Sequence, residues 1–409
     1  PRLRPLDVFP VEHDGRRLFG LRDRLDPSSP VLLLTPEALL LASLMDGERT
    51  IPALRAAFMV RTGQTITEGQ VAELVEQLEA AHFLDGERYR EHLARLREAF
   101  ARAPVRPAIH AGKAYPGTPE EFRQSMEAWS RAANGPRSLA DGRESVPLAG
   151  LLAPHIDFHR GGPGYAWACH AMSVASPADL YVVLGTCHAP MALPFASTSK
   201  PYDTPFGPTT TAPDFLEHLA RRWEADLFAD EYANRGEHSG EFAATWLRYL
   251  MAEGAVPETP IVTILCGALH HLVPEGSSPR DVALVEGFVQ ALGEVIAAWP
   301  GKVCLVGSVD LAHVGPQFGD PRPLDRADWM LLERADRAMI ARIVEGDAEG
   351  FFRNVMDEGD RRRICGLTPI YVFLRLLEGA RGELLRYFQW PDPNGTVTFA
   401  TIRFPWPAP

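Results

Sequence analysis

Apolar residues along this chain fall into two regimes. Up to about residue 100 they recur mostly at helical spacing, and beyond that they gather into short continuous runs with helical stretches between. In the first regime, VEHDGRRLFGLRD alternates apolar and polar positions around Asp14–Gly15, the pattern of a β-hairpin. TPEALLLASLMDG predicts a helix that Thr35 caps and that ends by Gly47. IPALRAAFMVRTG predicts a second, with Leu54, Phe58 and Val60 on one side and a stop at Gly63. TEGQVAELVEQLEAAHFLDG places Val71, Leu74, Val75 and Leu78 at i, i+3, i+4 and i+7, one buried helical stripe. The expectation is a small α+β winged-helix domain over residues 1–86. A charged helical linker over 87–104, GERYREHLARLREAFARAP, then ends at Pro104.

The second regime, residues 105–409, alternates strand and helix. VPLAGLLAPH, DLYVVLGTCH, TPIVTILCGALHH and GKVCLVGSVDLAH are aliphatic without polar alternation, as strands buried on both faces of a parallel sheet are. PDFLEHLARRWEADL, GEFAATWLRYLMAEG and RDVALVEGFVQALGEVIAAW read as the helices between them. LLRYFQWPDPNGTVTFATIRF reads as a hairpin turning at Asn394–Gly395. The predicted class is α/β, with a mixed, largely parallel central sheet flanked by helices.

Composition narrows the function. The formal net charge of −12 argues against a nucleic-acid partner, which needs a basic face. No apolar run is long enough to span a bilayer, and PRLRPLDVFP has no apolar stretch of the kind a secretory signal carries. Cys169, Cys187, Cys266, Cys304 and Cys365 are odd in number and form no CxxC pair, so reduced thiols in a cytoplasm are expected.

Candidate chemistry gathers where the strand-like runs stop. His155, His188, His270 with His271, and His313 each follow one of them. In an open α/β sheet, ligands bind beyond the carboxyl ends of the strands, so such histidines share one edge of the fold. Two imidazoles with one anionic donor make the facial arrangement of non-haem iron sites. Cysteine as that donor also admits copper or zinc. Cys365 follows three arginines and precedes a helix, a setting that favours thiolate. Asp310 is spaced to pair with His313, and His238 lies between Glu237 and Glu241 at a helix start.

Several motifs in order resemble the Memo family, the AmmeMemoRadiSam system protein B group, whose fold is similar to class III extradiol dioxygenases. They are AGKAYPGTPEEFRQSMEAW, APHIDF, GTCHAP, YDTPFGP, GEHSGEF, GSVDLAHVG and RICGLTP. The resemblance implies metal ligands at His155, His188 and Cys365 and acid–base roles for Asp310, His313 and His238. It implies a pocket lined by Glu237 and Glu241, and it leaves His270 and His271 outside the site. Ile156 and Asp157 stand where the family has a small Ala-Gly pair. Asp157, His159 and Trp246 are therefore expected as this chain's own pocket residues. The layout from LTPEALLLASLMDGERTI to FLDG resembles PqqD-like domains, which hold leader peptides of ribosomally made peptides.

The expected function is a mononuclear Fe(II) oxidoreductase, dioxygenase-like, acting on a peptide or a small aromatic or thiol substrate. Copper or zinc are the alternative metals. The expected partners are a ribosomal or leader peptide at the N-terminal domain and a radical SAM protein. A metal- or peptide-binding scaffold without turnover is the alternative, and a hydrolase with Cys365 as nucleophile the weaker third.

Overall fold

The structure is a computed structural model that describes residues 1–13, 15–23, 26, 29–139 and 146–406. The chain divides into two compact units, Pro1–Ala103 and Pro104–Pro409.

In the first unit a three-stranded antiparallel sheet comes before the helices. Its strands are β1 (Asp7–His13), β2 (Arg16–Arg22) and β3 (Leu32–Leu34), in that spatial order. The expected hairpin joins β1 to β2. Asp14 of its turn lies outside the described residues, while Gly15 takes φ +69°. The helices are α1 (Pro36–Ser43), α2 (Ile51–Thr62), α3 (Glu68–Ala80) and α4 (Glu87–Arg102). Thr35, Thr50 and Thr67 cap the first three through their side chains, and Gly63 closes α2 at φ +69°. Val71, Leu74 and Leu78 of α3 join Leu54 and Phe58 of α2 in one buried cluster. Val60 does not, being 88% exposed. Two residues past Phe58 is about 200° around a helix, so the two side chains cannot share a face. The stretch expected as a linker is α4, which packs on α3 within this unit.

The second unit is a three-layer α/β domain. Its strands are β4 (Leu148–Ala153), β5 (Leu180–Thr186), β6 (Phe195–Ser197), β7 (Ile261–Cys266), β8 (Val303–Ser308), β9 (His313–Val314), β10 (Glu383–Gln389) and β11 (Thr396–Pro405). The spatial order is β10-β11-β4-β8-β5-β7-β6, with β9 on β11. The β4, β8, β5 and β7 core is parallel, and the C-terminal hairpin and β6 add antiparallel margins. Its helices are α5 (Pro119–Arg131), α6 (Phe158–Val174), α7 (Pro213–Arg222), α8 (Ala233–Gly236), α9 (His238–Ala252), α10 (Ala283–Ala298), α11 (Arg326–Glu345), α12 (Ala348–Met356) and α13 (Leu367–Leu376).

Every residue of β4, β5, β7 and β8 is buried, which explains their unbroken apolarity. The two-residue period sorts them. Leu180, Val182 and Leu184 face the cluster built with α7 and α10–α13, whereas Tyr181 and Val183 face α5, α6 and α9. Because the four strands run parallel, their carboxyl ends open on one edge. No helix among the described residues is long and apolar enough to cross a membrane.

Leu54 is fully buried in the first unit. Leu54→Ala should cost about 2–5 kcal/mol by the lost transfer energy and the cavity left behind. Urea denaturation measures this, and a loss below about 1 kcal/mol would show the site to be far more plastic than its packing implies.

Candidate metal centre

His155, His188 and Asp310 each lie two residues past the end of a parallel strand, β4, β5 and β8 in turn. Cys365 reaches the same edge from the turn before α13. The histidine and cysteine donors of His155, His188 and Cys365 all fall within 4.8 Å of one another.

Hydrogen bonds decide which nitrogens are available. Nδ1 of His155 lies 2.8 Å from the Ser308 carbonyl oxygen, which can only accept, so Nδ1 carries the proton. Nε2 is left as the lone pair, 3.2 Å from Cys365 Sγ. Nδ1 of His188 lies 3.0 and 3.1 Å from the two oxygens of Glu237, which also accept the His188 N–H at 2.7 Å. Burial alone would raise the Glu237 carboxyl. The His188 and His238 imidazoles, with the hydrogen bonds from His188, hold it well below the usual range. As a carboxylate it fixes the His188 ring through Nδ1, the way metal-ligating histidines are commonly oriented.

Glu237, His188 and His238 form a second, overlapping group of potential donors. Glu237 is already occupied, accepting also from Ser239 N at 2.9 Å as the cap of α9. It orients imidazoles, and the group formed by His155, His188 and Cys365 leaves it out. Burial holds His155 neutral, the state a ligand needs, against the raising charge of Asp310.

Three hydroxyls stitch the segments together. Ser308 Oγ donates to the Ser239 carbonyl at 2.7 Å, Ser239 Oγ to that of Thr186 at 2.7 Å, and Thr186 Oγ1 to that of Cys365 at 3.1 Å. Gly366 lets the Cys365 turn approach the end of β8, because a Cβ there would sit 2.6 Å from the Asp310 carbonyl oxygen.

The sequence matches the model of the Memo-like protein family over residues 106–400. The chain belongs to the Memo-like protein family. A MEMO1 family protein of Aquifex aeolicus is 28% identical over 409 residues, 99% of each chain, so the likeness includes the N-terminal unit. One from Thermus thermophilus is 29% identical across 84% of this chain and 94% of its own. A Methanopyrus kandleri relative is 27% identical across 73% of this chain and 98% of its own.

Other residues of this Memo-like chain fall in varied places. The Asp310 carboxylate turns to His155, accepting its N–H at 3.0 Å and lying 3.7 Å from Nε2. His313 instead faces the Leu311 carbonyl at 3.3 Å, and burial pushes it down to about 4 despite the charge of Asp310. His238 stacks on His188 at 4.6 Å and meets His155 edge-on at 5.2 Å, and burial drives it well down. Trp246 is fully buried in the apolar cluster beneath α9, a core position, which corrects its expected place in the pocket wall. Asp157 pairs with Arg160 at 2.8 Å, and His159 is exposed on the first turn of α6. His270 bonds Asp360 at 2.8 Å and lies outside the donor groups.

Glu241 does not line an open pocket. It is wholly buried, accepting from Arg106, from His110 Nδ1 at 2.8 Å and N at 2.9 Å, and from the Tyr115 hydroxyl at 2.6 Å. Arg106 also donates to the Asn234 and Glu237 carbonyls. Neither Arg106 nor His110 was expected. The only signal was a histidine standing directly before the Ala111–Gly112 motif.

The thiolate expectation for Cys365 is corrected. Arg361 pairs with Glu358, Arg362 with Asp336 and Glu358, and Arg363 with Asp320 and the His313 carbonyl. With these guanidinium groups paired elsewhere, burial and then the Asp310 carboxylate push the thiol well up. Without metal it is a thiol.

Two outcomes follow from these anchors. Glu237→Gln removes the charge and one of the two accepting oxygens that fix His188, and titration against a chelator should show metal affinity falling roughly 10–100-fold. An unchanged affinity would mean that Glu237 does not orient the ligand. The second concerns pH. Burial opposes ionisation of Glu241, but Arg106 and the His110 and Tyr115 hydrogen bonds hold it down to about 2, below the usual carboxyl range. A depressed carboxyl contributes stability above its unfolded pKa and loses it as pH falls through the folded one. The contribution, roughly 3 kcal/mol at pH 7, should therefore fade between about pH 5 and pH 2. Urea unfolding of wild type against Glu241→Gln should show the gap closing over that range, and a pH-independent gap would refute the account.

Proposed function

We propose that this chain is a mononuclear non-haem iron protein of the cytoplasm that holds Fe(II) through His155 Nε2, His188 Nε2 and Cys365 Sγ. The observation that carries the reading is the ring orientation: both Nδ1 atoms are tied to acceptors, and the donors of His155, His188 and Cys365 fall within 4.8 Å of one another. Two imidazoles and one anionic donor suit Fe(II), and such a centre supplies open positions for dioxygen or an oxidisable substrate. Copper and zinc suit the same donors. Because Cys365 is a thiol before loading, uptake releases its proton and strengthens as pH rises.

Around that centre the chain's own groups bind, orient and move protons. Glu237 and the Ser308 carbonyl keep the two rings turned inward. Asp310, beside His155 Nε2, is placed to take a proton from a substrate, and His238 and His313 are the neutral imidazoles that accept or return one. The reaction is an oxidation of dioxygenase type on a peptide or a small aromatic or thiol substrate. The N-terminal unit, with its short edge strand β3 bearing an exposed Leu33, would hold a ribosomal or leader peptide, with a radical SAM protein as partner.

A scaffold that binds metal without turnover uses the same residues. A Cys365 hydrolase is the weaker reading, because burial keeps the thiol protonated and a nucleophile needs the thiolate.

Anaerobic reconstitution with Fe(II) and metal analysis is the deciding experiment. Wild type should retain about one iron per chain, and Cys365→Ser and His188→Ala should lose most of it. Wild type free of iron after reconstitution would end the proposal. Iron retained without metal-dependent oxygen consumption would favour the scaffold.

A further inference from the structure

The histidine that follows β7 belongs to neither donor group, yet it reaches the turn that carries Cys365. His270 lies four residues past the end of β7, and its Nε2 stands 2.8 Å from Asp360 Oδ2. Asp360 sits between α12 and α13, five residues before Cys365. Its other oxygen, Oδ1, accepts the Ile364 N–H at 2.8 Å, and its carbonyl accepts that of Arg363 at 2.8 Å. Its own N–H donates to the Val355 carbonyl of α12 at 3.0 Å. Every polar group of Asp360 is thus engaged, and two of them hold the backbone that leads into Cys365.

That backbone needs holding. Gly359, Asp360 and Arg363 take φ of +65°, +45° and +55°, a region that residues with a Cβ seldom adopt. Such a loop keeps one shape only while its surroundings fix it. On one flank the Arg362 carbonyl accepts the His313 N–H at 2.7 Å, and the Arg363 side chain reaches Asp320 and the His313 carbonyl. These bonds tie the turn toward β9. On the other flank His270 ties it to the end of β7.

The thiol depends on that shape. Cys365 Sγ stands 3.2 Å from His155 Nε2 and 3.7 Å from the Asp310 carbonyl oxygen. A one-carbon side chain places its sulfur wherever its backbone goes, whereas the two histidines are fixed on strand ends. The His270 side chain is 40% exposed and that of Asp360 12%. A pair so open to water adds little to global stability, so what it contributes is local order.

We propose that His270 is a positioning residue for Cys365, fixing through Asp360 the turn that sets Sγ beside His155 and His188. This rests on the metal reading above. All four parallel strands then serve the centre, β4, β5 and β8 through His155, His188 and Asp310, and β7 through His270.

The test uses full-length protein and Co(II), which takes the same donors and reports a bound thiolate by a sulfur-to-metal charge-transfer band. Competition with a chelator gives the affinity. His270→Ala should lower Co(II) affinity roughly tenfold and weaken that band, while the urea midpoint stays near that of wild type. His270→Gln, whose amide N–H can reach Asp360, should restore most of both. Asp360→Gly suits φ +45° and relieves the backbone, yet it should lose at least as much affinity as His270→Ala. Because His270 acts through Asp360, adding His270→Ala to Asp360→Gly should bring no further loss. Wild-type affinity and band in His270→Ala, no recovery in His270→Gln, or a further loss in the double variant would each overturn the assignment. If the wild-type band is present and disappears in Cys365→Ser, such a failure leaves the metal reading standing. If wild type binds no Co(II), or binds it without that band, both fall.

Discussion

The site depends on one buried carboxylate. Glu237 caps α9 through Ser239, accepts both the backbone and the ring of His188, and lies beside His238. Its backbone carbonyl accepts from Arg106, the same guanidinium that neutralises Glu241 one turn along. A buried charge is tolerable only when nearly every lone pair has a partner, and removing one partner of such a pair costs about 3–5 kcal/mol. That demand makes the start of α9 a rigid platform. Helix capping, the orientation of His188 and the first segment of the second unit are satisfied by the same few atoms, so none can move alone.

The sheet supplies the rest of the rigidity. Parallel strands deliver His155, His188 and Asp310 to one edge, and the hydroxyls of Thr186, Ser239 and Ser308 bind those strand ends to α9 and to the Cys365 turn. Sites built on strand ends inherit the precision of the sheet. Cys365 is held differently. Its turn contains two non-glycine residues in the left-handed region, Asp360 at φ +45° and Arg363 at φ +55°. Each is pinned by its side chain, Asp360 to His270 and Ile364 N, Arg363 to Asp320 and the His313 carbonyl. Backbone of that kind persists only where its surroundings over-determine it. Arg363, just before Cys365, therefore serves to shape its turn.

Much of this was legible in the order of residues. The apolar runs of β4, β5, β7 and β8 were readable because strands buried on both faces admit no polar residue. Their parallel pairing then implied a shared edge for the histidines that follow them. The Thr35 cap and Gly63 marked helix ends, because capping is local chemistry. Local pattern failed where partners are distant. Val60 looked like a core residue until helical geometry turned it outward. Trp246 looked like a wall until packing put it beneath α9. Arg106 is 135 residues from Glu241, and no spacing rule connects them.

By itself, then, the sequence determined the α/β class, the strand ends at which histidines gather, and the family to which the motifs belong, since all three are written in short, local patterns. Only the tertiary structure decided which ring nitrogens are tied to acceptors, that Asp310 serves His155, that burial pushes the Cys365 thiol up, and that His110 pairs with Glu241. Those are matters of tautomer, burial and charge. They arise when residues far apart along the chain are brought within hydrogen-bonding distance and shut away from water.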